Sequence, residues 1–438
     1  MSLPPLLKSF QWGTVAFFLV SLSFHLFAFF VLHRHGHVVY PFSLNKTDRF
    51  GDFTVFTEKF TFFHTTKFFE VGFPINYPAP AVVALEAFFK FAAPHSLFVF
   101  LVFCILAFVV PAGLFGRAIV LRGIAPGQAA LFVTILCVLS WPAGLIVDGA
   151  NAEVIVWMVL LIGMWAYATG REWLAAALFG IAASLKLFPF VFLAFFLSRR
   201  QIGKLFFGVG TFLVISVVSL QVLGPTIPVA YRGINFGLLS FKQNYMAMWH
   251  TGENGVDHSI FATVKLLLLA AFHRNAVHHY PVTFTGPLRV YIPATAIAGA
   301  LLYFLRIRKQ PLLNQVLTLT IISIYFTPFS GDGTLIHLYY PLAMLFLLAI
   351  RARRDGVTIP GLSTILYCMV FCLSMESFLV APGSTQGMRF IGPAHCIALG
   401  VMLVAALRYP LGPPLAEDRG EIVLSEPVTG WVKRLPAP

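Results

Sequence analysis

Apolar runs of membrane length alternate with short polar breaks along nearly the whole chain. The first run, FQWGTVAFFLVSLSFHLFAFFVL from Phe10 to Leu32, is too long for a cleaved signal peptide and closes without a small-residue cleavage site, so it reads as a membrane helix. Further runs follow at Ser96–Gly116, Ala125–Val147, Val154–Thr169, Leu205–Leu223, Ile260–Phe272, Tyr291–Leu305, Leu312–Pro328, Leu338–Ile350, Ser363–Val380 and Ile391–Leu407. A helix rising 1.5 Å per residue needs about 20 apolar residues to cross the hydrocarbon. Several of these runs are shorter, and the stretch between Arg171 and Arg199 is too short for two full crossings. That stretch predicts two short helices meeting around SLKLFP, with Lys186 and Pro189 at a break lining a polar cavity. The pattern predicts an all-α polytopic membrane protein with about 11–13 transmembrane or re-entrant helices.

The basic residues orient the chain. Arg117 with Arg122, Arg199-Arg200 with Lys204, Arg306 to Lys309, and Arg351 to Arg354 form the densest short clusters, and short basic loops face the cytoplasm. Alternation then makes residues 1–408 one multi-pass domain with extracytoplasmic loops at about 34–95 and 224–283, and leaves a Pro-rich cytoplasmic tail, 409–438, with a disordered composition. On this topology the conspicuous polar residues fall on the outer side: Asp48, Asp52, Glu58 and Tyr77; Asp148, Asn151 and Glu153; Lys186; the loop from Asn244 to His258; Asp332 and His337; and Arg389. Ionisable groups are costly near lipid and usually face a cavity, so this convergence suggests a polar site there.

Composition narrows the chemistry. Hydrophobic residues make up 58% of the chain and charged ones 11%, too apolar a balance for a water-soluble fold. The net charge of +13 is scattered between apolar segments, with no basic stripe of the kind that binds nucleic acid, and the positive-inside rule accounts for it. The five cysteines lie within apolar segments and show neither zinc spacing nor a disulfide framework. No Gly-rich phosphate loop, HExxH, GxSxG or Asp-x-Asp pair is present. His278-His279 and the run from His33 to His37 read as interfacial polar residues, so neither a metal nor a cofactor is expected. An outer site without nucleotide-binding features points to a lipid-carried donor. If a sugar leaves a lipid phosphate, the leaving group needs cations and the acceptor hydroxyl needs a base. Asp52, in GDFTVF, is the favoured carboxylate; the same spacing suits a helix N-cap, and the sequence leaves the two open. Asp48 and Glu58 read as loop-solvating acids.

Three blocks in order carry a family resemblance: GDFTVF after the first membrane helix, INYPAPAVVAL at Ile75 to Leu85, and the long block from Asn151 to Arg200. In the last, an Asn opens a helix, a basic turn follows, and a small-residue helix ends in Lys before Pro and an Arg pair. Together they resemble glycosyltransferase family 87, which contains polyprenyl-phosphate-mannose-dependent mannosyltransferases. DHSIFATVKLL at Asp257 to Leu267 resembles the family's later Asn-Gln-Ser segment, with Asp-His in place of the usual pair. TPFSGDGTLIHLYYPL at Thr327 to Leu342 resembles its Ser-Pro-x-Ser-Trp-x-His stretch, with Trp absent and the His displaced.

The resemblance implies a GT-C type fold whose extracytoplasmic cavity binds the lipid donor. It implies Asp52 as general base, His337 near the donor phosphate and Lys186 steadying it, although Lys186 equally suits a lysine reaching for the interface. Arg389 is a phosphate-binding candidate from charge alone, with interfacial anchoring as its competitor; Asn151 and Tyr77 are sugar-pocket candidates, with helix capping and aromatic-belt roles competing. The expected activity is transfer of one sugar, mannose by resemblance, from a polyprenyl phosphate to a lipid or glycan acceptor, with inversion, at the outer face of the plasma (inner) membrane. Its partners are the donor, the acceptor and membrane lipids. The rival is a transporter or lipid flippase, but no internal repeat supports it, and Glu376 is the one acid within a central apolar segment.

Overall fold

The computed structural model describes residues 50–138, 140–248, 257–272, 283–374 and 391–412, with isolated positions between 12 and 31. The first membrane helix therefore lies almost wholly outside the described residues, as do Asp48, His33 to His37, His278-His279, Arg389 and residues 413–438. The described residues are helical, with no strands and two isolated bridges, Met248 with Thr283 and Asp257 with Gly331. The protein is an all-α polytopic membrane protein. Among the described residues, four helices are long and apolar enough to cross a bilayer, Ser96–Val120, Ile202–Leu223, Thr285–Lys309 and Asp332–Arg354 with its leading 3₁₀ turn, and seven shorter apolar helices accompany them.

Several boundaries differ from the hydrophobic pattern for local reasons. The run expected at 125–147 is two helices, Pro126–Val133 and Trp141–Gly149, joined through a π turn and an extended Ser140. Pro142 explains the break, because it has no N–H to continue the first helix and fits the opening turn of the second. The stretch expected to be a loop after Leu223 contains a helix, Ile227–Phe241, which buries Ala230, Ile234 and Gly237 and brings Gly237 against Ile75. A Cβ on Gly237 would stand 1.9 Å from the Ile75 carbonyl oxygen, so only glycine permits that approach. The helix of residues Glu172–Leu185 stops at Lys186, whose backbone is extended, and a 3₁₀ turn, Phe188–Leu193, leads into Ala194–Ser198. Tyr409 to Gly412 lie beside the Leu312–Tyr325 helix, held by Asn314, which donates to the Tyr409 carbonyl and accepts from Leu411 N–H at 2.7 Å.

The small-residue helix is the hub of the packing. Glu172–Leu185 lies between Glu153–Ala168 and Ile202–Leu223, buried through Ala175, Ala176, Phe179, Gly180, Ala182 and Ala183. Helices in lipid gain by close van der Waals approach, which small residues permit. A Cβ on Gly180 would meet the Gly208 carbonyl oxygen at 2.3 Å, and one on Gly208 would meet the Ala176 carbonyl oxygen at 2.9 Å. At the other end of this hub, Glu172 binds Lys204, Arg199 at 3.5 Å and Gln201 at 2.8 Å, tying the basic loop together.

This packing predicts opposite outcomes for two glycines on facing helices. Gly180→Ala should destabilise the purified protein by about 1–3 kcal/mol through overpacking. Gly210→Ala, whose new methyl would meet nothing within 4 Å, should be neutral or stabilising because alanine is the better helix former. Thermal unfolding of both variants in one detergent checks the pair.

Candidate active site

The site begins with a short amphipathic turn. Phe53, Phe56 and Phe60 recur at helical spacing and are buried, while Asp52 and Glu58 are exposed on the other side. Phe53 stacks on Phe100 with ring centroids 5.0 Å apart, anchoring the turn on the Ser96–Val120 helix. Phe50 adopts the left-handed region and its N–H donates to the Asp148 carbonyl at 3.0 Å, joining the turn to the end of the Trp141–Gly149 helix. Asp52 is therefore not an N-cap. It lies inside the first turn of Gly51–Thr54, no side-chain cap closes that helix, and its carboxylate turns toward Asn151.

Asn151 Nδ2 donates to Asp52 Oδ2 at 2.6 Å, and Asn151 Oδ1 accepts from the Glu153 N–H at 2.8 Å. One amide thus holds the candidate base and caps the following helix. Gly149 makes room for this contact, since a Cβ there would stand 3.1 Å from Asp52 Oδ2. Glu153, 3% exposed, gives one oxygen to Lys186 and the other to His337 Nε2 at 2.7 Å. The His337 ring packs edge-on against Phe188 at 4.8 Å, and Trp157 Nε1 donates to the Ile336 carbonyl at 3.0 Å, fixing the 3₁₀ turn Asp332–Leu338 on the Glu153–Ala168 helix.

Asp52, Asn151, Glu153, Lys186 and His337 thus form one continuous polar chain. Tyr77 stands near both acids; burial first, then the charges of Asp52 and Glu153, raise its hydroxyl well above the ordinary value and keep it protonated. Asp52 is exposed yet set in a recess with protein on most sides. Loss of bulk water raises its pKa, and the opposing effects of Asn151 and Lys186 do not cancel that rise. Lys186 commits one of its three donors to Glu153 and keeps a side chain 35% exposed.

All five groups gather at one end of the bundle. Asp148 and Gly149 end one helix, Glu153 begins the next, Lys186 follows the end of the third, and His337 precedes Tyr339–Arg354. The basic clusters occupy the opposite ends of these or neighbouring helices: Arg117 in the last turn of Ser96–Val120, Arg171 before Glu172, and Arg351 to Arg354 at the end of the last.

Of the candidates read from the sequence, Asp52, Asn151, Lys186, His337 and Tyr77 come together here, while Arg389 lies outside the described residues. Glu153 was visible as an outer polar residue but not as the link between Lys186 and His337; an acid two residues after Asn151, opening an apolar helix, was the available signal. The sequence also gave no notice of a second buried cluster, His258, Asp332 and His395, drawn from three distant segments.

The sequence profile of glycosyltransferase family 87 matches residues 76–329. The match takes in Tyr77, Asn151, Glu153 and Lys186, and leaves Asp52 and His337 on either side of it. No curated protein and no solved structure matches the chain. Because the matched stretch covers well over half of the 438 residues, the chain belongs to glycosyltransferase family 87.

Proposed function

We propose that this glycosyltransferase moves one sugar, mannose by family resemblance, from a polyprenyl phosphate to a hydroxyl of a lipid or glycan acceptor at the extracytoplasmic face of the plasma (inner) membrane. The observation that carries the reading is the polar chain from Asp52 to His337, gathered at the helix ends opposite the basic clusters. Short basic loops mark the cytoplasmic side, so the recess opens outward.

In this reading Asp52 takes the proton of the acceptor hydroxyl as its oxygen attacks the anomeric carbon. The bond from that carbon to the phosphate oxygen breaks, and polyprenyl phosphate leaves with the electron pair. A single base and attack from the face opposite the phosphate give inversion. Asn151 keeps the carboxylate aimed, and the pKa raised by loss of bulk water makes it a stronger base than an ordinary aspartate. Lys186 and the His337 imidazole supply the polar face for the phosphate, and Glu153 fixes both. Tyr77, held protonated, offers a hydroxyl donor to the sugar.

Three outcomes are expected. Asp52→Asn should lower transfer of labelled sugar from a polyprenyl phosphate by about 10²–10⁴-fold while donor binding persists; full transfer by a folded variant would sink the base assignment. The same variant should be as stable as the parent or more so above the acidic range. A raised native pKa means that the unfolded chain, with an aspartate pKa of about 3.9, loses its proton first. Stability from the protonated form is then complete below that value and is lost as the pH climbs through the native pKa. Melting temperatures of the two proteins at several pH values should therefore diverge upward from the acid side. Lys186→Gln should raise the donor KM on the order of tenfold, with a smaller change in kcat, as expected for a lost charge-assisted contact to phosphate; an unchanged KM would remove Lys186 from the phosphate site.

A further inference from the structure

His258 follows Asp257 where the chain enters the Ile260–Phe272 helix, Asp332 opens the 3₁₀ turn that carries His337, and His395 lies in the first turns of Ile391–Arg408. All three are buried, at 0%, 2% and 0% exposure. His258 Nδ1 is 3.3 Å from Asp332 Oδ1, and His395 Nδ1 is 3.9 Å from the same oxygen. One nitrogen from each ring and one carboxylate oxygen lie within 4.8 Å of one another.

Two features set this cluster apart from an ordinary buried histidine pair. Neither ring nitrogen of His258, nor Asp332 Oδ1, makes a hydrogen bond among the described residues. Leaving buried polar atoms in that condition is costly, so a partner is expected. Asp332 Oδ2, by contrast, accepts from Trp141 Nε1 at 2.8 Å. A carboxylate anchored through one oxygen, with the other turned to two imidazoles, is how outer hydrogen bonds orient metal ligands. Asp332 and Asp257 are two buried carboxyl groups beside these rings, and Lys265 is the buried amine near Asp257 among the described residues.

We infer that His258, Asp332 and His395 bind one divalent transition-metal cation of the zinc class, and that this ion ties the turn bearing His337 to the two helices on either side. Two imidazoles and one carboxylate are a borderline donor set that suits zinc and its neighbours better than magnesium or calcium. Bonds of about 2.0–2.1 Å place two tetrahedral ligands about 3.3 Å apart. That matches the His258–Asp332 separation, and His395 reaches the same distance by a modest inward movement. The surroundings are already fixed for the purpose. Asp257 Oδ1 accepts from Ser259 N–H at 3.0 Å and Ser330 N–H at 2.9 Å, and His258 N–H donates to the Ser330 carbonyl at 3.1 Å, which clamps the first ligand to the strand of chain leading into Asp332. The ion is a positioning element, and none of its ligands is among the polar residues Asp52, Asn151, Glu153, Lys186 and His337.

The test is the metal content of the full chain, purified through a tag without histidines and away from chelating resin. Plasma mass spectrometry should find close to one zinc-class ion per chain. His258→Ala and His395→Ala should each lower that content to background, while His64→Ala, on an exposed loop, keeps it. As a measurement independent of variant folding, wild-type protein stripped by chelator should take up one equivalent of Co²⁺, with the visible absorption of nitrogen- and oxygen-ligated cobalt, and release it to Zn²⁺. Wild-type protein that holds no stoichiometric metal and takes up neither Co²⁺ nor Zn²⁺ overturns the inference, as does a folded His258→Ala that retains its full content. Metal is read here without donor or acceptor, so the result stands apart from the outcome of the transfer assays.

Discussion

The arrangement depends on one buried carboxylate. Glu153 opens an apolar helix and is almost fully enclosed, and an isolated charge in that position costs several kcal/mol unless partners surround it. Lys186 and His337 supply those partners from two other elements, and the position at a helix N-terminus favours the negative charge further. Satisfying Glu153 therefore brings the end of the small-residue helix and the 3₁₀ turn before Tyr339 to the same place. The helix ends at Lys186, whose extended backbone accompanies the contact of its amine with the acid.

From that centre the order extends outward through Asn151. Its carbonyl oxygen serves the backbone of Glu153 and its amide serves Asp52, so the base candidate is positioned by the same short stretch that begins the helix. The phenylalanines explain how so short a turn is held to such a contact. Phe53, Phe56 and Phe60 sink into the bundle on one side of the turn, and the acid is left on the other. Apolar burial fixes the turn, and the polar contact needs only to choose the rotamer. Gly149 keeps the space between them clear.

Much of this was readable in the sequence, and the reasons divide cleanly. The polytopic helical fold follows from apolar run length, and the helix break at Lys186 from a stretch too short to cross twice. Asp52, Asn151, Lys186 and His337 stood out because acids, amides and cations are rare in so apolar a chain. The break before Trp141 was missed although Pro142 announced it, because the hydrophobic run continues smoothly across. Helix Ile227–Phe241 was taken into an outer loop because its apolar face is a stripe and not a run. Glu153 as the link, and the cluster of His258, Asp332 and His395, were illegible for a different reason: both are defined by contacts between distant segments, and no local spacing encodes them.

The central claim is that the recess between Asp52 and the Glu153, Lys186 and His337 group is where the sugar leaves its lipid phosphate. The most direct measurement is an electron cryomicroscopy structure of the protein with a non-transferable polyprenyl-phosphonate sugar. The account predicts the phosphonate against Lys186 and His337, with the anomeric carbon on the Asp52 side and the lipid chain running into the bilayer. A phosphonate bound at another place in the bundle, with Asp52 out of reach of the sugar, would contradict it.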